Sequence, residues 1–258
     1  MPKFDDPQKT LRQNHAVDYD GAMIDHASTT PPFTAAPPPP TPLSLPLEWR
    51  VAEGVVDYDA ALAEMEARAH AIRQGTAGEL IWLLQHPPVY TAGTSARAED
   101  LLNPGAAIIR QTGRGGEWTY HGPGQRVVYI LLDVAKRGQD VRRFIREVEG
   151  WAIATLAQLG ITADRRQGYP GVWVENTRAK DTPPDKITAI GVRLTKWVSW
   201  HGMAINHNPD LTAFDGIVPC GIHEGGVTSI TAINPQISLA AVDQALAATF
   251  APSFPFDD

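Results

Sequence analysis

Three short segments carry residue types that a scaffold alone does not need. In RGGEWTYHGPGQ, residues 114–125, Gly115, Gly116, Gly122, Gly124 and Pro123 surround Arg114, Tyr120, His121 and Gln125. Glycine lets backbone approach a ligand closely and leaves N–H groups free to donate. Arg114 adds a fixed fork of donors for an acyl or carboxyl oxygen. A Gly-rich stretch alone is a tight hairpin, but the Tyr-His pair inside it turns the balance towards ligand contact. In IVPCGIHEGGVTSI, residues 217–230, Cys220 stands between Pro219 and Gly221. A lone cysteine is commonly a small buried hydrophobe. Here Pro219 fixes the backbone on one side and the Gly221 N–H could meet an oxyanion on the other, the layout a nucleophile needs. In KITAIGVRL, residues 186–194, Lys186 opens a strand whose alternate positions Ile187, Ala189 and Gly191 are small or apolar. A lysine there is ordinarily a solvated flank. A desolvated ammonium beside a thiol would instead favour the thiolate and make Cys220 a nucleophile at neutral pH.

Those segments need a framework. Asp57 is placed to cap a helix running to about Arg73, with Tyr58, Leu62, Met65, Ala69 and Ile72 at helical spacing. ELIWLLQ (79–85) reads as a buried strand and HPPVYTAG (86–93) as a turn into a short extended piece. AAIIRQ (106–111) and RVVYILLDV (126–134) give two more strands around the Gly-rich loop. A second helix is expected from Asp140 to Leu159, with Gly160 just past its end. Strands follow at 171–175, 186–194 and 197–206, with the polar, proline-broken NTRAKDTPPD (176–185) as a loop. Ser238 caps a last helix over 239–250. Helices and strands interleave without strict βαβ order, which predicts one α/β domain on a mixed sheet.

Bulk properties narrow the function. Of 258 residues 43 % are hydrophobic and 20 % charged, enough apolar content for a real core. The formal net charge of −7 argues against a general nucleic-acid binder, which needs surplus Lys and Arg. A single cysteine excludes a disulfide scaffold, and no His, Cys and carboxylate spacing matches a metal-ligand set. No apolar run approaches the ~20 residues of a membrane helix, and the polar opening lacks a secretion signal, so a soluble cytoplasmic protein is expected. Ten of the 22 prolines fall within residues 1–46, read as a disordered leader ahead of a domain over 47–258.

QHPPVYTAG, RGGEWTYHGPGQ, KITAIGVR, HGMAIN and VPCGI, in that order, resemble the lipoyl(octanoyl) transferase family over about residues 48–232. The resemblance implies a fold like the catalytic domain of biotin and lipoate protein ligases. It implies transfer of an octanoyl group from acyl carrier protein to a lysine of lipoyl domains, those of 2-oxoacid dehydrogenase E2 subunits and of the glycine cleavage H protein. No cofactor and no metal are implied. The family's acyl-thioester cysteine falls on Cys220, and the lysine that keeps it ionised on Lys186. Its acyl-binding stretches fall on Arg114, Gly115, Gly116, Glu117, Trp118, Thr119, Tyr120 and His121, on Ala189, Ile190 and Gly191, and on Gly202, Met203 and Ala204. Small residues at 189, 191, 202 and 204 would keep an apolar slot open for the acyl tail, so bulky replacements at Gly202 or Ala189 would shorten it.

Three other functions remain open on the residues alone. His121, His201, His207 and His223 allow a Cys-His hydrolase or amidase, the fold allows an ATP-dependent lipoate or biotin ligase, and a non-catalytic acyl-binding module is the third. Lys136, Arg137, Arg142, Arg143 and Arg146 form a basic cluster that either meets an acidic carrier protein or is a solvated helix face.

Overall fold

Alternation decides how the central strands sit. In the LIWLLQ strand Ile81 and Leu83 enter one core, and Leu80, Trp82 and Leu84 another. A strand buried on both faces must lie inside a sheet covered on both sides. The computed structural model of the chain describes residues 45–175, 182–218 and 225–254. The expected leader to residue 44, most of the 176–185 insert and Cys220 lie outside them.

The chain runs β1 (Glu48–Val55), α1 (Tyr58–Gln74), β2 (Leu80–Gln85), β3 (Val89–Ala92), β4 (Ile108–Gln111), β5 (Trp118–His121), β6 (Gln125–Leu131) and α2 (Val141–Gln158). It continues as β7 (Asp164–Arg166), β8 (Tyr169–Val174), β9 (Asp185–Thr195), β10 (Val198–Asn206), α3 (Ile230–Ile233) and α4 (Leu239–Ser253). A seven-stranded sheet has the order β1-β2-β6-β10-β9-β8-β7, and a three-stranded sheet the order β4-β3-β5. In the larger sheet β1 and β2 are parallel and β2, β6 and β10 antiparallel in turn, so it is mixed as expected. The second sheet is a departure from the single sheet expected. One edge of it is β5, which lies inside the glycine-rich segment and pairs with β3.

Helices α2 and α4 cover one face around Phe144, Trp151, Val242 and Leu246, where Trp151 donates its indole N–H to Leu246 O at 3.0 Å. Helix α1 covers the other face with Met65 and Ile72. Asp57 caps α1 by accepting from Ala60 N, and Asp140 caps α2 by accepting from Arg142 and Arg143 N. No helix among the described residues is long and apolar enough to cross a membrane.

The basic cluster is broken up by the fold. Arg137 is 3 % exposed and grips Glu79 with two bonds, 2.6 Å and 2.8 Å, while Glu79 also accepts the Asp133 N–H. Lys136 pairs with Asp133 and Arg143 with Glu147. Of the five, Lys136, Arg142 and Arg146 are exposed. Glu79→Ala would leave the Arg137 guanidinium buried without this carboxylate, and is expected to cost about 3–5 kcal/mol in urea unfolding.

Candidate functional site

One irregularity in β9 sets the geometry. Val172 of β8 faces Thr188, but Trp173 faces Lys186, so β9 advances two residues where β8 advances one. Such a bulge reverses the side-chain alternation beyond it. Ile187, Ile190 and Val192 therefore all join the core under α2. Lys186, Ala189 and Gly191 share the opposite face. Strict alternation had grouped Ile187 with Ala189 and Gly191; the extra residue separates them.

A cavity of about 350 Å³ lies between the glycine-rich segment and the β9–β10 pair. Arg114 to Thr119, His121, Ala189 to Gly191 and Gly202 to Ala204 all line it. The two strand stretches face one another in register, Gly202 with Gly191, Met203 with Ile190 and Ala204 with Ala189. Tyr120 is the exception. In β5 its ring turns to the face packed against Tyr90 and Phe214, away from the cavity, because residues 118–121 are a strand and not an open loop.

The Arg114 fork serves the scaffold as well as the cavity. Its Nη2 donates to Thr91 O and Oγ1 at 2.7 Å and 2.8 Å, and Nη1 to Gly115 O at 3.0 Å. These bonds hold the glycine-rich segment against β3. Gly202 also acts differently from the expectation. A Cβ there would fall 2.2 Å from Val128 O and 2.9 Å from Ile130 Cγ1, so the glycine permits close strand packing and does not gauge the slot.

Residues not singled out from sequence complete the wall: Tyr58, Val127, Tyr129, Ile145 and the Gly168–Pro170 turn. Their signal was masked because each also reads as a core or turn residue. The buried histidines and phenols among them are kept neutral. Burial pushes His121 and His201 down to about 3, Tyr58 up to about 12, and Tyr129 well above the usual phenol range. His86 is lowered by burial too; its Nδ1 donates to Val56 O at 2.7 Å, so Nε2 accepts from the Tyr129 hydroxyl at 2.6 Å. His201 sits at φ 58, a left-handed conformation that costs a non-glycine residue about 1–3 kcal/mol.

Lys186 is 6 % exposed, with Nζ 4.8 Å from the Trp173 ring centroid. Gly171 makes room for it, since a Cβ there would meet Lys186 Cε at 3.1 Å. The main chain of Lys186 is bonded on both sides, its N–H to Gly226 O and its C=O to Thr228 N–H, each at 2.9 Å. Lys186 does not line the first cavity. It lines a second of about 560 Å³, with Trp173, Phe214, Ile217 and Gly225. Ile217 and Gly225 stand on either side of the segment 219–224 that contains Cys220, which lies outside the described residues. Among the described residues no group of three or more His, Cys, Asp or Glu is placed to hold a metal ion.

Comparison with known proteins is consistent along almost the whole domain. The lipoyl protein ligase A/B catalytic domain family matches residues 57–251. An octanoyltransferase of Brucella melitensis is 55 % identical over 214 residues, 81 % of this chain and 81 % of the relative. One of Dinoroseobacter shibae is 53 % identical over 213 residues, 81 % of this chain and 97 % of the relative. Among solved structures, a bipartite lipoate protein ligase of Thermoplasma acidophilum superposes with TM-score 0.58 at 16 % identity, covering 82 % of this chain and 87 % of the other. Lipoate-protein ligase A bound with ATP gives TM-score 0.58 at 19 % identity, covering 81 % and 88 %. These two likenesses establish the fold, which is the lipoate-ligase architecture expected from the sequence motifs.

The neutral histidines make stability depend on acid. Because His86, His121 and His201 are depressed from 6.5, the unfolded chain binds more protons than the folded one below that pH. Their contribution is complete above 6.5 and drains away as pH falls towards the folded values, by up to about 1.4 kcal/mol per pH unit for each ring. Urea midpoints are expected to drop between about pH 7.5 and 5.5, and His121→Gln to flatten that slope.

Proposed function

The chain belongs to the lipoyl protein ligase A/B catalytic-domain family, and we propose that it takes an octanoyl group from acyl carrier protein onto Cys220 and passes it to a lipoyl-domain lysine. It is an acyltransferase of the octanoyltransferase kind, acting in protein lipoylation. The observation that carries the finer reading is the β9 bulge, which turns the buried Lys186 onto the face that bears Ala189 and Gly191. The chain just after Cys220 is bonded to the Lys186 backbone through Gly226 and Thr228, which favours a short path between amine and thiol.

In this reaction the Lys186 ammonium favours the Cys220 thiolate, which attacks the thioester carbonyl of the donor. Backbone N–H groups of the glycine-rich segment or of Gly221 steady the oxyanion. The departing carrier thiolate takes the Lys186 proton, leaving a neutral amine. The acceptor lysine then attacks the acyl-enzyme and gives its proton to Lys186, while Cys220 leaves as thiolate. The starting state returns, and since one thioester is exchanged for another before an amide forms, ATP is not needed. The octanoyl tail lies in the cavity lined by Ala189, Gly191 and Ala204, whose size suits a small-molecule site. The exposed cations Lys136, Arg142 and Arg146, the last next in sequence to Ile145 of the cavity wall, suit an acidic carrier. Acceptors are the lipoyl domains of 2-oxoacid dehydrogenase E2 subunits and the glycine cleavage H protein. The reading places the enzyme in the cytoplasm, with residues 1–46 as a leader outside the catalytic domain of 47–258.

Intact-mass measurement after mixing the protein with octanoyl-acyl carrier protein, without ATP, tests this. An octanoyl adduct that Cys220→Ser abolishes and a lipoyl domain discharges is expected. Discharge to water alone would mean a hydrolase; absence of any adduct would mean a ligase or a binding module. Ala189→Leu is expected to lower the preference for octanoyl over hexanoyl donors by about fifteenfold, the worth of two buried methylenes. Gly202→Ala is expected instead to lower stability by about 1–3 kcal/mol in thermal unfolding, with the chain-length preference kept.

A further inference from the structure

One hydrogen-bonded chain runs from the cavity wall to the Thr228 backbone beside β9, and its direction is fixed from both ends. Thr228 O can only accept, so Asn206 donates to it through Nδ2 at 3.0 Å. That leaves Asn206 Oδ1 as the acceptor for Gln125 Nε2, at 2.9 Å. The same Gln125 nitrogen lies 3.2 Å from Tyr120 O, a second group that can only accept. Gln125 Oε1 must therefore be the acceptor for His121 Nδ1, at 2.6 Å. The imidazole is left protonated on Nδ1, with its lone pair on Nε2. Gln125 is fully buried, Asn206 is 3 % exposed and His121 is 8 % exposed, so water does not compete for these bonds. The ring so held lies nearly parallel to Tyr58, 13° between planes and 6.5 Å between centroids, and both rings line the cavity.

We propose that Gln125 is a positioning residue for acyl selection: through its bond to Nδ1 it holds His121 in one tautomer and one ring orientation, so that the ring forms a fixed wall of the acyl cavity. Asn206 and the Tyr120 and Thr228 carbonyls decide which way Gln125 faces. A freed imidazole would rotate into the slot or flip its tautomer, and the fit to a chain of definite length would be lost. What the cavity holds rests on the acyl-transfer reading; the state of the ring does not.

The test uses the full chain and Gln125→Met, which keeps most of the volume and removes the acceptor. Nitrogen NMR of labelled histidine reads the tautomer, and calorimetry with octanoate and hexanoate reads chain-length preference without requiring turnover. In the unaltered protein His121 is expected as a single Nδ1-protonated form, and octanoate is expected to bind about fifteenfold tighter, the worth of two buried methylenes. In Gln125→Met the His121 signals should show both tautomers, and the preference should fall below about threefold. Loss of affinity for both acids by the same factor would mark Gln125 as merely structural and overturn the proposal. So would a variant with His121 still in one tautomer and its preference intact. Should the variant not fold, an unaltered protein whose His121 carries its proton on Nε2 overturns it alone. Failure of octanoyl transfer in the mass experiment, with the ring state as described, would refute the transfer reading and leave the His121 assignment standing.

Discussion

The bulge in β9 is the constraint on which the site depends. Without the extra residue between Lys186 and Thr188, an alternating strand would send Lys186 and Ala189 to opposite sides of the sheet. With it, the amine faces Trp173 and the small residues face the glycine-rich segment, on a common side. The opposite side stays continuous as Ile187, Ile190 and Val192 beneath α2. Core packing and cavity wall are thus served by one strand, with the change of face placed between Lys186 and Ala189.

The cavity shows how polar side chains are tolerated within an apolar volume. None of its histidines is charged, and each hydrogen bond with an assigned direction starts from a backbone carbonyl: Val56 O orders His86 and then Tyr129, and Thr228 O orders Asn206, Gln125 and His121. A buried polar group costs little when its partner is preset. The walls therefore present rings of fixed orientation, and beside them stand the Glu117 carboxyl group and the Arg114 guanidinium, whose donors engage Thr91 and Gly115.

Helices and central strands were legible in the sequence because local signals agree with tertiary ones. Asp57 and Asp140 cap the helices they precede, Gly160 takes a left-handed conformation after α2, and LIWLLQ is buried throughout. The cavity stretches at 114–119, 189–191 and 202–204 were legible from the motifs. Several features were not, the edge strands β1 and β7 among them. β5 was hidden because glycines on both sides make WTYH look like loop, and with it went the facing of Tyr120. The side of the sheet that Lys186 occupies depends on a pairing with β8 that no local pattern encodes. Arg137 counted as surface charge because its partner, Glu79, lies far away in sequence.

That Arg137–Glu79 contact has a thermal consequence. It fastens the start of β2 to the turn that follows β6, through two guanidinium bonds and the Asp133 N–H. Hydration of ions becomes less favourable on warming, so the penalty for keeping this pair dry shrinks, whereas the aliphatic contribution levels off. The join between these two strands therefore carries a growing share of the cohesion as the solution is heated.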